Sequence, residues 1–508
     1  MANDLQEALT AAGAAALVVK QIDPVLLEYQ RRYAPLVKAL ASEKWNSTVY
    51  YFNKRTQIPS GGFVTDGGAR PVSTSTYVQE NFIVRQLQSV GAVTGYAQAV
   101  TSSSISDLRA KEIEGAAKGL YWDIETAIIW GAQTPTVNGP YPQFDGLDVI
   151  CSSFSSASTG GPNQGVGGGG IDNYGGASTW GAPSFSPWVD SIDQNAINGG
   201  GNALSFGQLD MVIDMVENNV AEPIQDDSWM FVMSPSAHSR LAQLSLINQR
   251  FVDKVEISQG LIVDSYRGIP LVKTTFLSPR KQVMGTVVAT ANGTGTLAAQ
   301  YYYRVAPVIA RFGEIQASAG ATATPATTGV SLTFSTPTSY EGAQPISYKV
   351  YRVQAASTGT ETLLGYVDAY FLDSAGVTWA TTKIFDNGTT LIAYNGTNVQ
   401  ASPPATYVYT NSGLSPLGSS GQQNLYLLSR DSNNIVRPYV REMRTIDIYP
   451  TTSSPDSLPF AFATDCTLAV RATKYIGRLA NFIGALDATA GNGTIPTVTS
   501  YSPDFVVE

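Results

Sequence analysis

Glu112–Ala132, EIEGAAKGLYWDIETAIIWGA, is the stretch from which the rest of the chain falls into order. Ile113, Ala116, Ala117, Leu120, Ile124, Ala127 and Ile128 recur at spacings of three and four, which lays one apolar stripe along a helix. Ser104-Ile-Ser-Asp107 upstream has the form of a capping box. Gly131 and Pro135 mark the end, so the spacing predicts a helix over 104–132, whose apolar stripe of about 25 residues runs about 37 Å. Glu114 and Lys118 stand four apart on its outer face, where they pair.

Upstream of this helix the chain changes character twice. Residues 1–45 carry Leu5, Leu9, Val25, Leu26 and Tyr29 at helical spacing, broken by Pro24 and Pro35. They form an arm too short to be a domain. Thr48–Phe52 and Thr74–Val84 are β-prone, with turn-rich sequence between them. They predict a two-stranded ribbon, which is marginal alone in water and needs a surface to lie on. No partner for it stands next to it in the sequence.

Downstream, 152–176 is Ser/Gly-rich, and its GxGxxG-like strings lack the flanking strand and helix of a phosphate loop. Ser205-Phe-Gly-Gln208 caps a helix bearing Leu209, Val212, Ile213 and Val216 on one face. Trp229–Met233 is a buried strand, and Ser234-Pro235 starts a further helix. Leu261–Val263 and Ile269–Val272 flank a turn at Arg267-Gly268. From about 286 to 420 short β runs alternate with turn signals: Tyr301–Val305, Val330–Phe334, Tyr348–Val353 and Leu363–Val367, with turns at Asn292-Gly, Asn387-Gly and Asn395-Gly. This predicts an all-β sandwich inserted into a mixed domain. Strands near Leu425–Leu428, Thr445–Tyr449 and Thr467–Ala472 then resume the earlier style.

Composition narrows the function. The chain has 508 residues, 43% hydrophobic and 14% charged, which excludes a disordered chain, a coiled coil or a collagen-like fibre. The net charge is −9, and the longest basic clusters are pairs such as Arg31-Arg32 and Arg280-Lys281, so tight binding to a phosphate backbone is not expected. Two cysteines, Cys151 and Cys466, and one histidine, His238, are too few for a disulfide framework or a Cys/His zinc site. No apolar run reaches a membrane span. The Ala11–Val19 stretch follows Asp4 and Glu7 rather than basic residues, which argues against a signal peptide.

No catalytic constellation emerges. His238 sits in a helical first turn without a G-x-S-x-G or a suggestively placed nucleophile, and reads as structural. The acidic pairs Asp226-Asp227 and Asp145/Asp148 read as solvated surface rather than a carboxylate pair for hydrolysis. Sequons at Asn46, Asn292, Asn387, Asn395 and Asn492 are mostly Asn-Gly-Thr turns. No catalytic, cofactor-binding or metal-binding residue is assigned.

The order of these pieces resembles the major capsid protein of tailed double-stranded DNA bacteriophages, a fold shared with herpesvirus capsid floors and encapsulin shells. Thr74–Val100 resembles the returning ribbon strand that leads to the spine helix, and Glu112–Ala132 the spine helix itself. Trp229–Leu244 resembles the strand and helix of the axial domain, Gly260–Val272 its turn into a Gly-Ile-Pro strand, and Asp465–Leu479 the last strand of the peripheral domain. The insert resembles a fibronectin type III or immunoglobulin-like domain through Tyr301–Val305 and Tyr348–Arg352.

The resemblance implies an α+β fold divided as N-terminal arm 1–45, extended β-hairpin (E-loop) and peripheral strand 46–100, spine helix and peripheral domain 101–150, axial domain 151–285, Ig-like insert 286–420, and a return with C-terminal tail 421–508. It implies a structural, non-enzymatic protein of the virion, made in the bacterial host cytoplasm. Its partners would be copies of itself in hexameric and pentameric capsomers, together with scaffold, portal, decoration or cement proteins. The shell would enclose double-stranded DNA without binding it specifically, and no membrane is involved. The arm and ribbon take up the residues before the spine helix, so no internal scaffold domain is expected. Some relatives join a ribbon lysine to a neighbour's asparagine; Lys54 is the only ribbon lysine and Asn481 lies near the C-terminal end, but nothing brings them together and no such link is expected. The alternatives are an encapsulin-type shell and a carbohydrate-binding or adhesive β-sandwich protein.

Overall fold

The structure is a computed structural model. It describes residues 34–57, 59, 63–66, 68, 74–101, 107–131, 143–151, 196–198, 202–224, 228–247, 254–258, 261–277, 284–315, 317–335, 344–354, 361–401, 422–448 and 456–484. The described residues fall into two compact units: 89–118 with 445–462, and 34–88 with 119–444 and 463–484.

In the smaller unit the start of the long helix is fixed by Asp107. Its carboxylate accepts from the Ala110 N–H at 3.0 Å and from the Gln98 amide at 3.1 Å, while Gln98 accepts from the Arg109 N–H at 3.0 Å. The helix therefore runs Leu108–Trp130, capped by Asp107. The expected Ser104 cap lies outside the described residues. Close backbone approach is needed at Gly91, where a Cβ would stand 2.5 Å from the Phe460 ring.

The larger unit is built on a seven-stranded mixed sheet ordered Ala196–Asn198, Ile476–Ile483, Gln422–Ser429, Trp229–Met233, Ile269–Lys273, Leu261–Tyr266, Lys254–Ser258. Period-two alternation sends its residues to two different cores. Trp229, Phe231, Met233, Leu425 and Leu427 join the helix Phe206–Val220 through Leu209, Val212, Ile213 and Val216. Met230, Val232, Tyr426 and Leu428 face the other way, into a cluster with Ile124, Ile128 and Trp130 of the long helix. Both faces of the central strands are thus covered, which is why Trp229–Met233 reads as an unbroken apolar run.

Local signals act as expected here. Ser205 and Gln208 form a reciprocal capping box at 3.3 and 3.1 Å. Ser234 caps Pro235–Ile247 by accepting from the Ala237 N–H at 3.0 Å. Arg267 and Gly268 both have positive φ, 53° and 82°, and close a two-residue hairpin pairing Tyr266 with Ile269. The Thr467–Ala472 strand is corrected: only Ala469–Val470 pairs there, and the stretch compared with one final strand, Asp465–Leu479, is divided between Ser457–Cys466 and Ile476–Ile483.

The described residues of 288–394 make two larger antiparallel sheets, Val288–Leu297, Thr328–Thr333, Lys383–Asp386, Leu391–Tyr394 and Gly313–Glu314, Tyr301–Ile309, Pro345–Gln354, Thr362–Asp368, with Ala321–Ala323 paired to Tyr301–Ile309, and a two-stranded one, Tyr370–Leu372 with Thr378–Ala380. One apolar cluster draws on both, including Leu297, Val330, Leu332 and Ile384 from the first and Tyr303, Val305, Val350 and Leu363 from the second. Asn387-Gly388 and Asn395-Gly396 are turns, the glycines at φ 99°. Asn292-Gly293 is not. It lies inside Val288–Leu297 at a break in register, a β-bulge with Gly293 at φ 69°.

Candidate assembly interface

The ribbon is Val49–Gln57 paired with Thr76–Ile83, from Val49 opposite Ile83 to Gln57 opposite Thr76. The two strands form a sheet of their own. Their root is held firmly. Tyr50 and Phe82 are buried against Val436 and Ala469, with Trp45 and Phe52 beside them. Arg471 lies over the Tyr50 ring at 5.7 Å, donates to its hydroxyl, and pairs with Glu43 at 3.1 Å.

Away from the root the ribbon turns aromatic surface to solvent. Tyr51 is 48% exposed, Tyr77 65%, and Phe63 wholly so. Alternation along the strand explains the split, since Tyr50 and Phe52 share the inner face while Tyr51 and Arg55 share the outer one with Tyr77 opposite Arg55. Arg55 stacks on Tyr77 at 6.0 Å. An aromatic, Arg-bearing face on a thin ribbon has the composition of a protein interface.

A second junction fastens the β-sandwich. Arg311 pairs with Asp123 at 3.0 Å, donates its N–H to the Thr126 hydroxyl at 3.0 Å, and lies 5.5 Å over Trp122. Gly313, at φ 79°, lets the chain pass so close to the Trp130 indole that a Cβ would fall 2.1 Å from Nε1. Deeper in, Lys349 Nζ meets Asp148 Oδ2 at 2.5 Å and Glu314 Oε2 at 2.7 Å. Arg478 Nη1 donates to Asp148 Oδ1 at 3.2 Å. All four charges are buried. Asp148 is therefore corrected from a solvated surface residue to a buried ion-pair partner, its carboxyl held low by Lys349 and Arg478 against the opposing effect of burial. Asp145 is half-buried, and Asp226 and Asp227 lie outside the described residues.

The other candidates do not gather into a reactive site. His238 Nε2 lies 2.8 Å from Asp264 Oδ2, and burial holds the ring below its ordinary pKa, so a neutral imidazole donates to a carboxylate. The Ser234 hydroxyl one turn earlier is engaged by Gln423 and Ser236. Cys151 and Cys466 are buried thiols pushed up to about 12 and about 11, unreactive as nucleophiles. Among the described residues no group of three or more His, Cys, Asp or Glu is arranged for a metal ion. Asn481 is 6% exposed inside the central sheet. No local pattern singles out Glu125, which is fully buried and accepts from the Leu36 and Val37 N–H groups at 3.2 and 3.0 Å and from the Thr274 hydroxyl at 3.1 Å.

A rooted ribbon with an aromatic outer face, on a sheet-and-helix body, directs attention to assembly. The family model for the SU10 major capsid protein matches residues 10–284, just over half of the chain. The chain belongs to the SU10 major capsid protein family. It is a structural protein of the tailed-phage capsid, and its described residues form a mixed α+β fold.

The family match stops at residue 284, and the first strand of the β-sandwich starts at Val288. Among solved structures, the chain is similar to a cyanophage A-1(L) capsid subunit at 14% identity, TM-score 0.42, over 93% of this chain and 99% of that one. It is similar to a chain of Microbacterium phage Oxtober96 at 9% identity, TM-score 0.42, over 93% and 99%. The SrpI encapsulin of Synechococcus elongatus PCC 7942 gives 9% identity and TM-score 0.40 over 94% and 97%. The assignment rests on the family match, which favours the phage capsid over the encapsulin reading. No curated protein matches the chain significantly.

Proposed function

We propose that this SU10-family protein builds its shell from hexameric and pentameric capsomers of identical chains, and that the ribbon 46–100 is the element that reaches a neighbouring copy. The outer aromatic face of the ribbon carries this reading: a two-stranded sheet with Tyr51, Phe63 and Tyr77 exposed is unfinished as a monomer. Many modest contacts repeated around a closed shell give strong holding without any one strong interface.

The same reading assigns no enzymatic activity and no cofactor. It keeps the six-part division of the chain, with 286–420 as an Ig-like insert displayed on the outer surface. Scaffold, portal, decoration or cement proteins are its further partners. The net charge of −9 supports a lining that encloses double-stranded DNA without gripping it. Negative-stain microscopy of the purified protein tests the reading. Polyhedra, tubes or capsomer rings are expected, and a stable monomer at high concentration would contradict it. Exposure of 320–400 to protease or antibody on intact particles tests the outward placement, which complete protection would refute.

A further inference from the structure

We propose that Lys349 and Asp148 condense into an intramolecular isopeptide bond, with Glu314 carrying the protons, so that the β-sandwich is covalently tied to the body of the same subunit. The site is built for it. Lys349 Nζ is buried and lies 2.5 Å from Asp148 Oδ2 and 2.7 Å from Glu314 Oε2. A nucleophile, a carboxyl electrophile and a second carboxylate thus stand together in the interior. The rings of Trp130 and Tyr366 flank the amine at 5.4 and 5.5 Å.

The two oxygens of Asp148 have different surroundings. Oδ1 accepts from Arg478 Nη1 at 3.2 Å and from the Tyr426 hydroxyl at 3.4 Å, donors that favour the negative charge developing on a tetrahedral centre. Oδ2 accepts from Lys349 and, at 3.0 Å, from the Tyr366 hydroxyl, which supports it as the leaving oxygen. Glu314 is itself positioned by the Tyr351 hydroxyl at 2.7 Å.

The atoms balance without any co-reactant. Glu314 relays one proton from the Lys349 ammonium to Asp148 Oδ2, which leaves a neutral amine facing a neutral carboxylic acid, and the freed lone pair attacks Asp148 Cγ. The Nζ–Cγ bond forms and the Cγ–Oδ2 bond breaks. Two of the three ammonium protons leave on Oδ2 as water, the third remains on the amide nitrogen, and Glu314 ends as the carboxylate it began. Nothing is oxidised or reduced. The electrostatic driving force is that the reaction removes one positive and one negative charge from an interior where each is costly. Fixed placement supplies the rate that free amines and carboxylates lack in water.

The proposal concerns a single subunit and does not depend on assembly. Its test is the intact mass of the full-length protein, denatured and reduced, with fragmentation of its peptides. The expected result is a mass lower by one water, localised to a branched peptide joining the segments that contain Lys349 and Asp148. Lys349→Arg keeps the positive charge and is expected to restore the full mass, as is Glu314→Gln. An unmodified wild-type mass overturns the proposal whatever the variants do. A water loss that persists in folded Glu314→Gln overturns the role given to Glu314.

Discussion

At the scale of single residues, buried polar groups decide the behaviour of the fold. Burial pushes the Glu125 carboxyl up to about 8, although the Leu36 and Val37 N–H groups and the Thr274 hydroxyl oppose this. The folded-state pKa lies above the unfolded one, so the folded chain binds the extra proton. That stability is complete below the unfolded value of 4.5 and is lost as pH rises through about 8. Stability measured by denaturant titration is expected to fall between about pH 5 and about pH 9, and Glu125→Gln, which mimics the protonated acid, to flatten that slope. An identical slope in the variant would show that other groups set it. Gly313→Ala combines a forbidden φ with a clash against Trp130 and is expected to cost about 2 kcal/mol or more in the same assay. A neutral substitution would mean that the sandwich junction is looser than described.

These residues also mark where reading the sequence stops. Asp148 looks like any loop aspartate because its charged partners, Lys349 and Arg478, lie 201 and 330 positions away. Glu125 sits in a helix whose apolar stripe was legible, yet its own burial depends on residues 36, 37 and 274.

At the scale of elements, local chemistry was enough wherever the determinants are adjacent. The Ser205 box, the Ser234-Pro235 start and the Arg267-Gly268 hairpin were all visible for that reason. Where pairing decides, it was not. Asn292-Gly293 has the composition of a hairpin turn, but Ser331, opposite Thr290 in the facing strand, holds the Asn292 side chain at 2.6 Å and the pair becomes a bulge. The ribbon offers the sharpest element-level test. Phe82→Ala, at the root, is expected to cost about 3–5 kcal/mol of subunit stability. Tyr51→Ala and Tyr77→Ala, on the outer face, are expected to change it by no more than about 0.5 kcal/mol while lowering particle yield. Melting curves and the assembled fraction by sedimentation read the two effects separately. Outer-face variants that unfold the subunit but assemble normally would reverse the assignment.

At the scale of the whole molecule, the order of pieces along the chain was more informative than any one of them, and it pointed to the family later matched over 10–284. Copies with a net charge of −9 repel one another. Raising ionic strength from about 0.01 M to about 0.15 M shortens the screening length from about 30 Å to about 8 Å, so assembly followed by light scattering is expected to speed up. Slower assembly with salt would show that attraction between oppositely charged faces dominates. The central claim, however, is that the ribbon is completed only by another subunit. A reconstruction of assembled particles by electron cryo-microscopy tests it most directly. The account predicts Phe63 and the Tyr51–Tyr77 face packed against a neighbouring copy; a ribbon folded back on its own subunit, or left in solvent throughout the shell, would contradict it.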